Sequence, residues 1–205
     1  DYRVLSHYMA THDLNDPEAL AYVLTQLDVD SLFDYAAYEM ICGNKDLSNT
    51  RFYRIPGGKW TWTLYDLDTA MAGTGSAPIG YFMQPLNSAP VVDFDPTPFT
   101  ALMKVPEMKE KFLLRMGEIM VDYFTYDYLS KELDNMYAQM APIMEYHLIR
   151  WPALTMEDWS RNVEAARKLL RDRPPQVVKE VQRIFNLTNE EMQIYFGEFL
   201  EKNSL

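Results

Sequence analysis

The sequence contains one cysteine among 205 residues, so it cannot form an internal disulfide or rely on a disulfide framework. Cys42 is instead predicted to be a small buried residue at the end of a helix. Basic residues are also scarce, with 19 Lys and Arg against 30 Asp and Glu and a net charge of −11. This charge argues against nucleic acid or an anionic membrane as the main partner, because a phosphate backbone needs a basic surface. It does not exclude a nucleotide, since a metal ion can screen phosphates from carboxylates.

Long apolar runs are absent too, because no segment approaches the ~20 residues that a membrane-spanning helix requires. Apolar residues nevertheless make up 48% of the chain, which is typical of a globular protein. A single domain over residues 1–205 fits this length and can bury about 70% of its unfolded surface. The chain begins at Asp1 without a Met, and we expect it to be a fragment of a larger protein.

Helical periodicity dominates the sequence and predicts an α+β fold that is predominantly α. Asp16 is predicted to be the N-cap of a first helix that carries Pro17 in its first turn. A second helix, in "DVDSLFDYAAYEMICG", is predicted to be capped by Asp30 and to end at Gly43. The C-terminal half, residues 98–202, is predicted to be helical throughout, with segments at about 98–104, 106–123, 126–149, 156–172, 175–185 and 189–202.

One small β-hairpin is predicted between the second helix and the C-terminal half. Residues 50–55 and 59–66 alternate in type and flank the turn signal Pro56-Gly57-Gly58. Trp60 and Trp62 share one face of the second strand and are predicted to lie in the core. Residues 69–97 are rich in small residues and are predicted to form a long loop, which is usually functional or mobile.

Oxygen-bearing side chains collect at the two ends of this hairpin: Asp46 and Asn49 before it, Asp66 and Asp68 after it. This layout meets the needs of phosphoryl transfer from ATP. One carboxylate orients or deprotonates the acceptor hydroxyl, while an Asn and a second carboxylate hold the divalent cation. Protein kinases use an Asp and an Asn of the catalytic loop followed by the Asp of D-F-G. Here the spacing from Asp46 to Asn49 is three rather than five, and Asp66-Leu67-Asp68 replaces D-F-G.

Other interpretations of these residues stay open on local grounds. Asp46 and Asn49 are also common turn residues, and the two later aspartates can simply end a strand. A D-x-D-x-T phosphatase motif requires Thr at position 70, where the chain has Ala70. A calcium loop starting at Asp66 lacks oxygen ligands at Ala70 and Ala72 and has no closing Glu.

Several segments resemble the CotH family of kinase-like proteins, which is named for a bacterial spore-coat protein. The matching features are a helix ending in "GNKD", then "NTRFYR", a Gly-Gly turn and "KWTWTLYDLD" within residues 31–73. The similarity continues through "LMKVPEMKEKFLLR", "APIMEYHLIRW" and "WSRNVEAARKLLRDRPPQVVKEVQRIFNLT". It implies a protein-kinase-like C-terminal lobe with the helical half at residues 98–202.

The resemblance also implies roles for the four polar residues. Asp46 falls at the family's catalytic Asp, Asn49 and Asp66 at its metal ligands, and Asp68 at the second acid of the motif. The implied cofactors are ATP with Mg²⁺ or Mn²⁺, and the implied acceptor is Ser or Thr of a protein outside the cell, at its surface or on a spore coat. The family's upstream nucleotide-gripping half is not visible in the sequence. We therefore expect this chain alone to transfer phosphate poorly.

A function of another class is the alternative. The same lobe can serve as a non-catalytic scaffold for surface or coat assembly. The shortened loop between Asp46 and Asn49 favours the scaffold, whereas the retention of Asp46, Asn49 and Asp66 favours the kinase, since a scaffold does not need them.

Overall fold

The computed structural model describes residues 1–71, 77–85 and 94–203. These residues form a predominantly α fold with one two-stranded antiparallel sheet, which confirms the predicted fold class. The helices are α1 Tyr2–Thr11, α2 Pro17–Gln26, α3 Val29–Cys42, α4 Ala77–Phe82, α5 Thr97–Leu102, α6 Pro106–Tyr123, α7 Tyr126–Arg150, α8 Met156–Phe185 and α9 Asn189–Lys202; the strands are β1 Arg51–Tyr53 and β2 Thr61–Thr63. None of the helices in the described ranges is long and apolar enough to cross a membrane.

Helix α3 lies at the centre of the core and contacts the hairpin as well as α4, α5, α6 and α8. Phe33 of α3 meets Phe112 of α6 with ring centroids 5.4 Å apart, and Phe99 of α5 lies 4.8 Å from Phe112. These rings meet edge to face, an arrangement that aromatic pairs prefer. All three side chains are almost fully buried, so these contacts hold the first half of α3 against α5 and α6.

The hairpin is shorter than predicted. On its aromatic face Trp62 is buried as expected, whereas Trp60 is half-buried. Phe52 pairs with Trp62 across the two strands, and their ring centroids are 5.2 Å apart. Tyr2 of α1 covers this face, with its ring centroid 4.4 Å from that of Phe52. Trp60 contributes backbone as well, because its N–H donates to the Gln26 carbonyl and its carbonyl accepts from the Asp28 N–H.

This backbone pairing moves the start of α3 two residues earlier than predicted. Asp28, not Asp30, is the N-cap, and its side chain accepts a hydrogen bond from the Ser31 N–H at 3.2 Å. Asp30 lies in the first turn and pairs with Lys111 of α6 at 2.7 Å. The prediction for Gly43 is confirmed, since this residue ends α3 in the left-handed region with φ 67°.

Two other local predictions need revision, and one helix was not predicted. Residues 2–11 form a helix, α1, for which the sequence pattern gave no prediction. The segment 69–97, expected to be a loop, contains α4, while residues 72–76 and 86–93 lie outside the described residues. The predicted break between 172 and 175 is wrong, because α8 runs unbroken through Pro174 and Pro175.

Burial explains why α8 tolerates two adjacent prolines. A proline inside a helix costs about 3 kcal/mol, since it removes a hydrogen bond and crowds the preceding turn. Here the prolines stand on the segment of α8 that enters the core, where Val177, Val178 and Val181 are buried next to them. Packing of that face offsets the loss in the backbone. Thr155 and Thr188 are the N-caps of α8 and α9, and each forms reciprocal hydrogen bonds with the acidic residue three positions later.

The last helix is part of the same core. Phe196 and Phe199 of α9 are buried in the cluster that also contains the α3 and α6 side chains. Helices α6 and α9 approach closely at Gly117, where an added Cβ would lie 2.0 Å from the Tyr195 carbonyl oxygen. Only a glycine permits that approach.

Candidate functional site

The first half of the candidate site is the loop that follows α3, residues 43–49, here called the site loop. Leu47–Asn49 form a single 3₁₀ turn, and Asp46 stands immediately before it. The Ser48 hydroxyl donates to Asp46 Oδ1, and the Asn49 amide nitrogen donates to Asp46 Oδ2 at 3.2 Å. The three-residue spacing therefore closes into a compact turn that fixes both oxygens of Asp46.

The second half is the stretch that follows β2, residues 66–71, here called the return segment. Antiparallel pairing of β1 with β2 brings Asp66 back to the site loop, where the Asn49 amide nitrogen donates to Asp66 Oδ2 at 3.1 Å. Asp66 has φ 55°, a left-handed conformation that Asp and Asn adopt more readily than most residues. The hairpin thus places Asp46 and Asp66 on either side of one amide group.

Asp68 is not drawn into this group. Its side chain is exposed, and within the described residues no hydrogen bond joins it to Asp46, Asn49 or Asp66. The two aspartates of the Asp66-Leu67-Asp68 motif are therefore different in the structure, with Asp66 facing the site loop.

Two further contacts fasten the return segment to the end of α3. The Met71 N–H donates to the Cys42 carbonyl at 2.7 Å, and the Thr69 hydroxyl donates to Asn44 Oδ1 at 2.7 Å. Met71 also has a positive φ of 56°. The return segment is consequently held at Asp66, at Thr69 and at Met71, which fixes its position relative to the site loop.

The C-terminus of α3, which carries the site loop, has all of its last four carbonyls satisfied. Glu39 O accepts from the backbone N–H groups after the helix, and Cys42 O accepts from the return segment. The two carbonyls between them, of Met40 and Ile41, accept from the guanidinium of Arg173 at 2.8 and 2.7 Å. Such end carbonyls have no partner within their own helix, so Arg173 of α8 completes the helix end.

Arg173 also explains the glycine in "GNKD". An added Cβ at Gly43 would lie 2.4 Å from Cζ of the Arg173 guanidinium, and the residue's positive φ adds a second obstacle for any other side chain. Arg173 is 1% exposed, and burial lowers the pKa of its guanidinium from the usual value. Because Arg173 lies 132 and 133 positions from the two residues whose carbonyls it contacts, no local pattern could reveal these bonds.

A buried acid lies directly behind the site loop. Glu39 of α3 is 2% exposed and adjoins the Asn44 amide and the Tyr35 hydroxyl. Burial raises the pKa of Glu39 to about 7, against smaller lowering contributions from these two neighbours. Within the described part of the chain, Glu39 Oε2 and Asn44 Nδ2 lack a partner in hydrogen-bond geometry. The sequence carries no signal for Glu39 and Asn44, because a polar residue beside an apolar helix face is expected to be exposed to solvent.

The residues present fit a Mg²⁺ or Mn²⁺ ion. Such an ion is usually held by one or two carboxylates and completed by water and phosphate oxygens. No three His, Cys, Asp or Glu side chains converge in the described ranges, and a site of this type does not need three. In the structure the Asn49 amide nitrogen faces both carboxylates. Rotation of the amide group by half a turn places its oxygen there instead. Asn49 and Asp66 can therefore supply neutral and charged oxygen ligands from opposite ends of the hairpin.

Comparison with known proteins identifies the family of this chain. A family model described as "CotH kinase protein" matches residues 2–177, and the chain belongs to that family. The resemblance noted in the sequence is thereby confirmed. Comparisons with curated proteins and with solved structures gave no match.

Proposed function

We propose that this domain is the part of an atypical protein kinase that holds the divalent cation and orients the acceptor hydroxyl. The observation that carries the proposal is the Asn49 amide nitrogen, which lies 3.2 Å from Asp46 Oδ2 and 3.1 Å from Asp66 Oδ2. Membership of the CotH kinase family supports the same assignment.

Each residue has a distinct role in this proposal. Mg²⁺–ATP supplies the transferable phosphoryl group and the charge that neutralises it. Asp46 orients the Ser or Thr hydroxyl of a protein acceptor and takes its proton, because its own oxygens are fixed by Ser48 and Asn49. Asn49 and Asp66 hold the cation. Asp68 is exposed and is the additional acid that the family resemblance implies.

Asp66→Asn tests the proposed metal role in the 205-residue chain. Asn accepts the same backbone conformation as Asp, so the substitution removes a charged ligand with little strain. We expect Mn²⁺ affinity, measured by calorimetry with and without ATP, to fall by about tenfold or more. Asp68→Asn should have a smaller effect, and the exposed Asp122→Asn, which changes net charge equally, should have none.

Two results would contradict the proposal in different ways. Equal Mn²⁺ affinity in the wild type and in Asp66→Asn would remove Asp66 from the site. A wild-type chain that binds no Mn²⁺ would favour the alternative, a non-catalytic scaffold for surface or coat assembly.

We further propose that the intact protein acts outside the cell, at its surface or on a spore coat. The support is the family resemblance alone. Antibody detection on intact source cells or spores tests this assignment, and a signal that appears only after lysis would overturn it.

A further inference from the structure

Asn44 lies at the junction between the two halves of the site. It is fully buried, at 0% exposure. Its Oδ1 accepts one hydrogen bond from the Asp46 N–H at 3.0 Å and a second from the Thr69 hydroxyl at 2.7 Å. One oxygen atom therefore contacts the backbone of the proposed catalytic acid and also a residue of the return segment.

The rest of Asn44 is anchored to α3. Its backbone N–H donates to the Glu39 carbonyl at 3.2 Å, and its amide group adjoins the buried Glu39 carboxyl. The amide oxygen is held by two donors, while the amide nitrogen lies beside this carboxyl without a partner in hydrogen-bond geometry among the described residues. This orientation leaves the side chain little freedom to pivot.

We propose that Asn44 is a positioning residue that couples the site loop to the return segment, so that Asp46 and Asp66 keep one relative placement. The catalytic meaning of this coupling rests on the proposed function, whereas the coupling itself does not. A second contact, from Asn49 to Asp66, joins the same two halves at the surface. Asn44 forms the buried counterpart of that bridge.

The chemistry of asparagine suits this position. A carbonyl oxygen has two lone pairs and can accept from both donors at once, and the neutral amide avoids placing a second carboxylate beside Glu39. An Asp would bring two acids together in a buried space, which disfavours ionisation of both. A Ser could not extend far enough to reach Thr69 and Asp46 together.

The matched pair Thr69→Val and Thr69→Ser tests the coupling. Thr69 is exposed, so neither substitution should unfold the chain, and only Val removes the hydroxyl. Residue-resolved amide hydrogen exchange by NMR suits a chain of 24.0 kDa. In Thr69→Val, we expect the Asp46 amide to exchange about three- to tenfold faster than in the wild type, the effect of losing one hydrogen bond. In Thr69→Ser the rate should stay within about twofold of the wild-type rate.

The reciprocal variant is Asn44→Ala, read at the other half of the site. Here the Met71 amide, whose own acceptor is the Cys42 carbonyl, should exchange faster although its hydrogen bond is not directly removed. If the two halves of the site are not coupled, the exchange rate of the Asp46 amide should be unchanged in Thr69→Val. The exchange rate of the Met71 amide should likewise be unchanged in Asn44→Ala. That result would overturn the inference.

Mn²⁺ affinity measured on the same samples separates this inference from the proposed function. Weaker Mn²⁺ binding in Thr69→Val than in Thr69→Ser, by about threefold or more, would support a role in placing the ligands. Faster Asp46 exchange in the Val variant with unchanged Mn²⁺ affinity would overturn that role. A wild-type chain that binds no Mn²⁺ would overturn the proposed function, and the exchange rates alone would then decide the coupling.

Discussion

Two regions of the molecule are built in opposite ways. The end of α3, with the site loop and the return segment, is organised by polar contacts that join residues far apart in sequence, such as Arg173 with Met40. The helical arm, formed by α7 and by residues 156–171 of α8, is organised mainly by contacts within and between its two helices. Tyr137 stacks on Trp159 at 4.9 Å, and Arg167 pairs with Asp134 at 2.7 Å.

The two regions also differ in what they expose. Helix α7 has a single buried side chain, Met144. Large apolar side chains along the same helix are exposed: Met136, Met140, Ile143, Tyr146 and Ile149. Around the site, by contrast, charged and polar groups such as Glu39 and Arg173 are buried. Stability is therefore expected to be concentrated around the site, where buried polar groups such as the Arg173 guanidinium have specific partners.

The largest expected effect is that of Arg173→Met. This substitution keeps an unbranched side chain but leaves the buried carbonyls of Met40 and Ile41 without their donor. We expect the free energy of unfolding, measured by urea titration, to fall by about 3 kcal/mol. The control is Arg171→Met, which removes the same charge from an exposed ion pair with Asp172 and should cost less than about 1 kcal/mol. Equal losses of unfolding free energy in both variants would show that the polar contacts at the end of α3 stabilise the protein no more than an exposed ion pair does.

Glu39→Gln sharpens the contrast through its pH dependence. In the folded protein the pKa of Glu39 is raised to about 7, above its unfolded value. Stability from the protonated acid is thus fully present below the unfolded pKa of about 4.5 and is lost as pH rises through 7. The amide in Glu39→Gln stays neutral, so this variant does not lose that stability. The free energy of unfolding of Glu39→Gln minus that of the wild type should therefore increase by about 2 kcal/mol between about pH 5 and pH 8. A difference that does not vary with pH would mean that Glu39 is not held in a buried neutral form.

The smallest effect is expected in the helical arm. Ile149→Ala truncates a side chain that is 74% exposed, and the unfolding free energy should change by less than about 0.5 kcal/mol. Met144→Ala, on the same helix, removes a buried side chain and should cost about 2 kcal/mol or more. Urea titrations of both variants compare the two faces directly. A loss above about 1 kcal/mol for Ile149→Ala would indicate that this face is packed.

Much of the fold could be predicted because its signals are local. Helices α6 and α9, the hairpin turn and the threonine caps each follow from residues within a few positions of one another. The errors arose where distant contacts decide the outcome. Backbone pairing with Trp60 shifts the cap of α3 to Asp28, and burial of its neighbours keeps α8 helical through Pro174.

The candidate site divides in the same manner. Asp46, Asn49 and Asp66 could be named from the sequence because a hairpin predictably returns its second strand to the beginning of its first. Their neighbours Asn44, Thr69 and Arg173 could not, since their importance arises from partners that only the folded chain supplies. The resemblance already gave Asp66 and Asp68 different roles, and in the structure the hydrogen bond from Asn49 reaches Asp66.

The continuity of the core beyond α8 bears on how this domain should be produced. The family match ends at residue 177, within an unbroken helix and next to Arg173. A shorter protein cut at that limit would lose Phe185, Phe196 and Phe199, and Gly117 would face solvent instead of α9. The shortened helix would also end just one turn after the guanidinium that completes α3. Expression limits for biochemical work should therefore extend to at least residue 203, or a poorly folded sample could be mistaken for an inactive kinase.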